Sequence, residues 1–240
     1  MKRKAGIACL AAALICGVIF VPSDKNIAAE ISNRTAVSVI VLDPGHGGMD
    51  GGAQSSAGIS EKDINLSICI MLRELLEKDG FKVIMTREDD RALCDENSQG
   101  TIRSRKTEDM KERKQIIDQA GADLAVSIHL NSFTQDPDVK GAQVFYPVAA
   151  GDSNCVKSNE AAELIQQSLN KTINVEKDRT ELGKNDVFIL RNISCPVVIV
   201  ECGFLSNPQE AEALNKHAYQ AKIAKSLQTG ICSYIKAAAQ

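Results

Sequence analysis

Four side chains of this 240-residue chain have the types and settings that hydrolytic metal chemistry uses. His46 lies in Asp43-Pro44-Gly45-His46-Gly47-Gly48, and His129 in Ser127-Ile128-His129-Leu130-Asn131-Ser132. Glu61 opens a segment of helical periodicity, and Glu201 directly follows Val197-Val198-Ile199-Val200. Two imidazoles and a carboxylate make a ligand set for a catalytic zinc ion with water in the fourth position. A further carboxylate nearby can act as general base and then as general acid. Each residue also has a plainer reading. A His in a glycine loop is a turn residue, and an acid at a helix start is favoured by the dipole. His217, beside Lys216, reads as a surface residue. Gly47, Gly48, Gly51 and Gly52 suggest a phosphate cradle, but the Lys-Ser/Thr pair of a phosphate loop is missing.

Only a particular alternation of elements brings those residues together. Val37–Leu42, Phe81–Thr86, Leu124–Leu130, Ala142–Tyr146, Val187–Leu190 and Val197–Val200 are apolar or β-branched runs that predict six strands. Ile64, Ile68, Met71, Leu72, Leu75 and Leu76 recur at three and four and predict a helix over Glu61–Asp79, stopped by Gly80. Helices are also predicted over Glu108–Ala120, Asn159–Ile173 and a stretch containing Tyr219 to Ile235, with Asp90–Arg105 as a loop. The prediction is an α/β fold: one domain over about residues 35–240, with a six-stranded mostly parallel sheet and helices on both faces. Ligands of such sheets gather beyond the carboxyl ends of the strands. His46, His129 and Glu201 all lie at such ends. Strand alternation turns Cys202 away from Glu201, so its thiol is expected to be buried.

Composition excludes other classes. Twenty-eight basic against 31 acidic residues, a net charge of −3 and no basic stripe argue against a nucleic-acid partner. Aromatics at 4% without Trp argue against base-stacking platforms. Lys2, Arg3 and Lys4 precede the uncharged run Ala5–Val21, which predicts a signal peptide or signal-anchor over residues 1–29 and export across the membrane. The mature chain is then either released or held by that segment. Two of the eight cysteines, Cys9 and Cys16, fall in it. Cys195 and Cys202 flank one strand, about 20 Å apart, too far to bridge. Most of the others read as small buried apolar residues.

At its motifs the chain resembles the zinc-dependent N-acetylmuramoyl-L-alanine amidases of the amidase-3 family. The carriers are Val41 through Gly48, Glu61-Lys62-Asp63-Ile64-Asn65, Ser127 through Ser132, and Pro196 through Asn207, in order along the chain. The resemblance implies one Zn2+ per chain held by His46, Glu61 and His129, with Glu201 as the catalytic glutamate. It implies hydrolysis of the bond between N-acetylmuramic acid and L-alanine in peptidoglycan. Asp43 and Asn131 are expected to orient the histidines. Arg191 sits where the family carries a Leu-Arg pair and reads either as a contact to anionic substrate or as a surface charge. The short plan is similar to sporulation members of the family, which strip stems from spore cortex ahead of muramic-δ-lactam formation. That places it in the cell wall or forespore intermembrane space, touching membrane only through its N-terminal segment, with an exported accessory activator as an expected partner. A vegetative autolysin, a non-catalytic peptidoglycan-binding scaffold and a cysteine hydrolase built on Cys202 are the alternatives.

Overall fold

In the computed structural model the order of elements is β1 (Val39–Pro44), α1 (Glu61–Lys78), β2 (Lys82–Met85), α2 (Ile102–Gln119), β3 (Leu124–Asn131), β4 (Gln143–Pro147), α3 (Ser153–Thr172), β5 (Leu182–Lys184), a 3-10 turn (Phe188–Leu190), β6 (Val197–Phe204), α4 (Pro208–Leu214) and α5 (His217–Ala238). The structure describes residues 37–95, 100–149, 151–191 and 193–239. The export segment expected over residues 1–29 lies outside them. Among the described residues no helix is long and apolar enough to cross a membrane.

The sheet order is β2-β1-β3-β6-β4-β5. β2, β1, β3 and β6 run parallel, β4 is antiparallel to β6, and β5 is parallel to β4. The sheet is therefore mostly parallel, as the alternation of elements predicts. Period-two alternation divides the strand residues between two cores. Ile40, Leu42, Leu124, Val126, Ile128, Val198, Val200 and Cys202 pack with the apolar stripes of α1, α3 and α5. Val41, Ala125, Val197, Ile199 and Phe145 pack on the other face with Ile117 of α2 and Ile189 of the 3-10 turn. Helices lie on both faces, but unequally.

The inequality matters because Asp43, Ser127, His129 and Glu201 share the parity of Val41, Ala125 and Ile199. All four belong to the thinly covered face. A groove of about 550 Å³ stays open there, and Asp43, His46, Ser127, His129 and Glu201 line it with Lys106 of α2, Lys184 of β5 and Phe188.

Several elements depart from expectation: α3 starts at Ser153 instead of Asn159, and β6 runs past Val200 to Phe204, so Glu201 lies within the strand and not at its end. Val187–Leu190 is not a strand: Phe188–Leu190 is a 3-10 turn, and β5 at Leu182–Lys184 is the edge strand instead. Ile189 and Leu190 are consecutive and both buried, which a turn permits and a surface strand does not. Helix α2 starts at Ile102, inside the segment expected as a loop, with the Thr101 side chain accepting from the Ser104 amide. Helix α4 is too short to show an apolar period in the sequence; Asn207 caps it by accepting from the Glu210 amide, and Pro208 supplies its preset first turn. The six described cysteines are free thiols, with Cys69, Cys94, Cys195 and Cys202 buried.

Candidate metal centre and active site

Three elements deliver three side chains to one point. β1 ends at Pro44 and releases the glycine loop that carries His46; α1 begins at Glu61; β3 carries His129 near its carboxyl end. Glu61 Oε1 lies 3.2 Å from His46 Nε2 and 3.0 Å from His129 Nδ1. The two rings meet edge to face, with centroids 5.0 Å apart. One ligand atom from each of the three residues falls within 4.8 Å of the others. Backbone donors fix the carboxylate: the Leu130 amide donates to Oε1 at 3.0 Å and the Ala53 amide to Oε2 at 2.7 Å.

Sterics leave little freedom around this cluster. A Cβ at Gly45 would enter the His129 ring, and one at Gly52 would come within 2.5 Å of Glu61 Oε2 and 2.7 Å of His46 Cδ2. His46 itself has φ 62, the one non-glycine positive φ among the described residues. Such a conformation costs of order 1 kcal/mol and persists where the surroundings over-determine it. Here Arg113 Nη2 donates to the His46 carbonyl at 2.6 Å, and Asp50 Oδ2 lies 3.0 Å from His46 Nδ1.

The electrostatics suit a cation. Burial alone would lower His46, but Asp50 and Glu61 outweigh it and raise the imidazole to about 9. Burial raises Glu61, yet the two histidines hold it well below the usual carboxylate range. Two borderline nitrogen donors and one oxygen donor, converging and braced from behind, fit a divalent metal of the zinc type.

Glu201 stands opposite His129 in the β3–β6 register. Its Oε2 is buried and accepts no hydrogen bond from the described residues. Burial raises its carboxyl; His129 counters this, while the Glu61 charge adds to it. A carboxylate that is buried, open on one oxygen and displaced upward is suited to taking and returning a proton.

The supporting shell corrects two expectations. Asp43 has no hydrogen bond to either imidazole among the described residues. Its carboxylate accepts from Thr86 Oγ1, Ser127 Oγ and Arg113 Nη1, each at 2.6 Å. Asn131 lies past the irregularity that follows His129 in β3, and its Oδ1 accepts from the Ser132 amide, with no hydrogen bond to a ring among the described residues. The histidine-orienting acid is Asp50, itself held by Lys106 Nζ at 2.7 Å. An acid four residues after a histidine in a glycine loop was the available signal. Arg87, nearly fully buried, donates to the carbonyls of Pro44, Gly45 and Lys62 and so ties the loop to α1.

Arg191 is exposed after the 3-10 turn and does not line the groove; the cation on that side is Lys184. His217 is the exposed first residue of α5. Cys202 is fully buried in the opposite core, its thiol pushed well up by burial, which removes the cysteine-hydrolase alternative. A second groove of about 790 Å³ opens around Lys140, Asn174, Arg179 and Glu210. Its buried acid, Glu210, is engaged by the Gly141 and Phe204 amides and serves the β4–β6 joint.

Comparison with known proteins agrees with this geometry. The family model for Amidase_3, N-acetylmuramoyl-L-alanine amidase, matches residues 40–233. The germination-specific N-acetylmuramoyl-L-alanine amidase of Bacillus subtilis is 39% identical over 200 residues, covering 82% of this chain and 79% of its own. The CwlD amidase from Clostridioides difficile, solved in complex with the GerS lipoprotein, superposes with a TM-score of 0.78 at 41% identity, over 83% of this chain and 99% of that one. An N-acetylmuramoyl-L-alanine amidase from Clostridium difficile 630 gives a TM-score of 0.71 at 29% identity, over 83% and 97%. The chain therefore belongs to the Amidase_3 family and is an N-acetylmuramoyl-L-alanine amidase.

Proposed function

We propose that the chain uses one Zn2+, held by His46, Glu61 and His129, with Glu201 as the proton-transfer group, to strip peptide stems from spore-cortex peptidoglycan. The carrying observation is the buried, unpartnered Oε2 of Glu201 on the same sheet face as the His-Glu-His cluster. Bound there, the ion supplies Lewis acidity that polarises an amide carbonyl and makes water a stronger acid. The rest belongs to the chain. Glu201 takes a proton from the attacking water and delivers it to the departing alanine nitrogen, leaving a muramic lactyl carboxylate and a free stem. Asp50 keeps His46 in one orientation, and Glu61, held by two backbone amides, keeps its position when the charge beside it changes.

The cortex reading is supported by the germination-specific relative. Export is supported by the basic head and apolar run of residues 2–21 and by a substrate that lies outside the cytoplasm. An exported accessory protein is supported by the lipoprotein complex of the C. difficile amidase.

The test is mass spectrometry of cortex and vegetative peptidoglycan fragments after incubation with the purified protein, with and without a chelator. Chelator-sensitive loss of whole stems, faster on cortex, is the expected result. Equal rates on both walls favour the autolysin reading, and chelator-insensitive loss removes zinc from the mechanism.

The tight fit behind the rings supplies a second check. Gly45→Ala forces a methyl into the His129 ring, so Zn2+ affinity should fall about tenfold or more in a competition titration. Unchanged affinity would mean that His129 is not a ligand.

A further inference from the structure

We infer that Lys184 is the stem-selecting residue of the groove, pairing with a substrate carboxylate one residue beyond the scissile alanine amide. The inference rests on the amidase reading. The glycan side of that amide is uncharged, because the lactyl carboxyl is consumed in the bond that is cut. Any anion that the uncut substrate presents near the reaction therefore belongs to the peptide.

The groove's other cations are already engaged. Lys106 pairs with Asp50, and Arg113 with Asp43 and Asp109. Lys184 lines the groove with His46, His129, Glu201 and Asp186, and among the described residues it makes no ion pair, with Asp186 or any other acid. Its root is fixed, because β5 pairs Lys184 with Pro147 and its carbonyl accepts from the Val148 amide. Its ammonium sits 4.3 Å from the centroid of the Phe145 ring, a cation–π contact that holds it over an apolar floor shared with Ile199. One residue of extended peptide spans roughly 3.5 Å, so a carboxylate adjacent to the alanine falls within reach of a long flexible ammonium.

The test compares two synthetic muramoyl peptides that differ at one group: the residue after L-alanine carries either a free α-carboxylate or the carboxamide. Specificity constants are measured on the zinc-loaded enzyme. Wild type should prefer the carboxylate about tenfold, mainly through KM. Lys184→Met should bring the ratio close to one, and Lys184→Arg should keep most of it. Lys184→Gln serves equally if the methionine variant does not fold. A change in Glu201 basicity affects both substrates alike and cancels in the ratio. A wild-type ratio of one, or a preference that survives Lys184→Met, overturns the inference while leaving the amidase reading intact. Failure of wild type to cut either substrate overturns both.

Discussion

Glu201→Gln should reduce turnover about a thousandfold while leaving metal binding within a few-fold of wild type. The amide keeps the size of the carboxylate and removes its basicity. The proton of the attacking water then loses the acceptor that stands across from His129, and the leaving nitrogen loses the donor there. Glu201 lies across from His129 in the β3–β6 register, outside the ligand-distance cluster formed by His46, Glu61 and His129. Loss of turnover and loss of metal should therefore separate. The measurements are kcat on a muramoyl peptide and a Zn2+ titration of the same preparation. Retention of more than a tenth of wild-type turnover would place the proton-transfer group elsewhere. Cys202→Ala is the matched control: its thiol faces the opposite core, so it should cost stability through a small cavity but not the chemistry.

The strands that carry the site were legible because their β-branched runs are short, apolar and bounded by turn residues. Period-two parity then told which residues share a face, including the divergence of Glu201 and Cys202. Helix α1 was legible from its four-residue apolar spacing. The start of α2 was not. Its mean character is polar, and only Arg113 and Ile117 are buried along its 18 residues. A hydrophobic pattern cannot reveal a helix whose main inward side chain is an arginine. The same limit hid the supporting shell. His46, Glu61, His129 and Glu201 stand in local motifs, whereas Arg113 meets Asp43 across 70 positions and Arg87 meets Pro44 across 43. Such partners are chosen by topology, and spacing along the chain does not report it. Asp43 shows the consequence: its place beside the glycine loop suggested a histidine contact, but the fold gives it a buried arginine.

That arginine carries the largest expected stability effect. Arg113→Met should destabilise the protein by about 3–5 kcal/mol, because it leaves the Asp43 carboxylate buried without its counter-charge. Arg113 and Asp43 are each at most 2% exposed, so water cannot substitute. In wild type, burial raises the Asp43 carboxyl, but the Arg113 charge and the Ser127 and Thr86 hydroxyls outweigh it and hold it at about 2. A carboxyl lowered on folding contributes stability that is present above its unfolded value near 4. That contribution, about 2 kcal/mol, is lost as the pH falls toward 2. Without Arg113 the sign reverses: the folded carboxyl moves above its unfolded value, and the variant loses stability as pH rises through the new range. Urea unfolding of metal-free wild type and variant from pH 4 to 7 reads this as a widening gap between the two curves. Asp43→Asn added to Arg113→Met should recover a large part of the loss, since it removes the stranded charge. If the two substitutions simply add, Arg113 acts through the Pro44 and His46 carbonyls and not through the ion pair. The same variant should also lower Zn2+ affinity, because the bond from Arg113 to the His46 carbonyl holds the left-handed turn that aims the ring at Glu61.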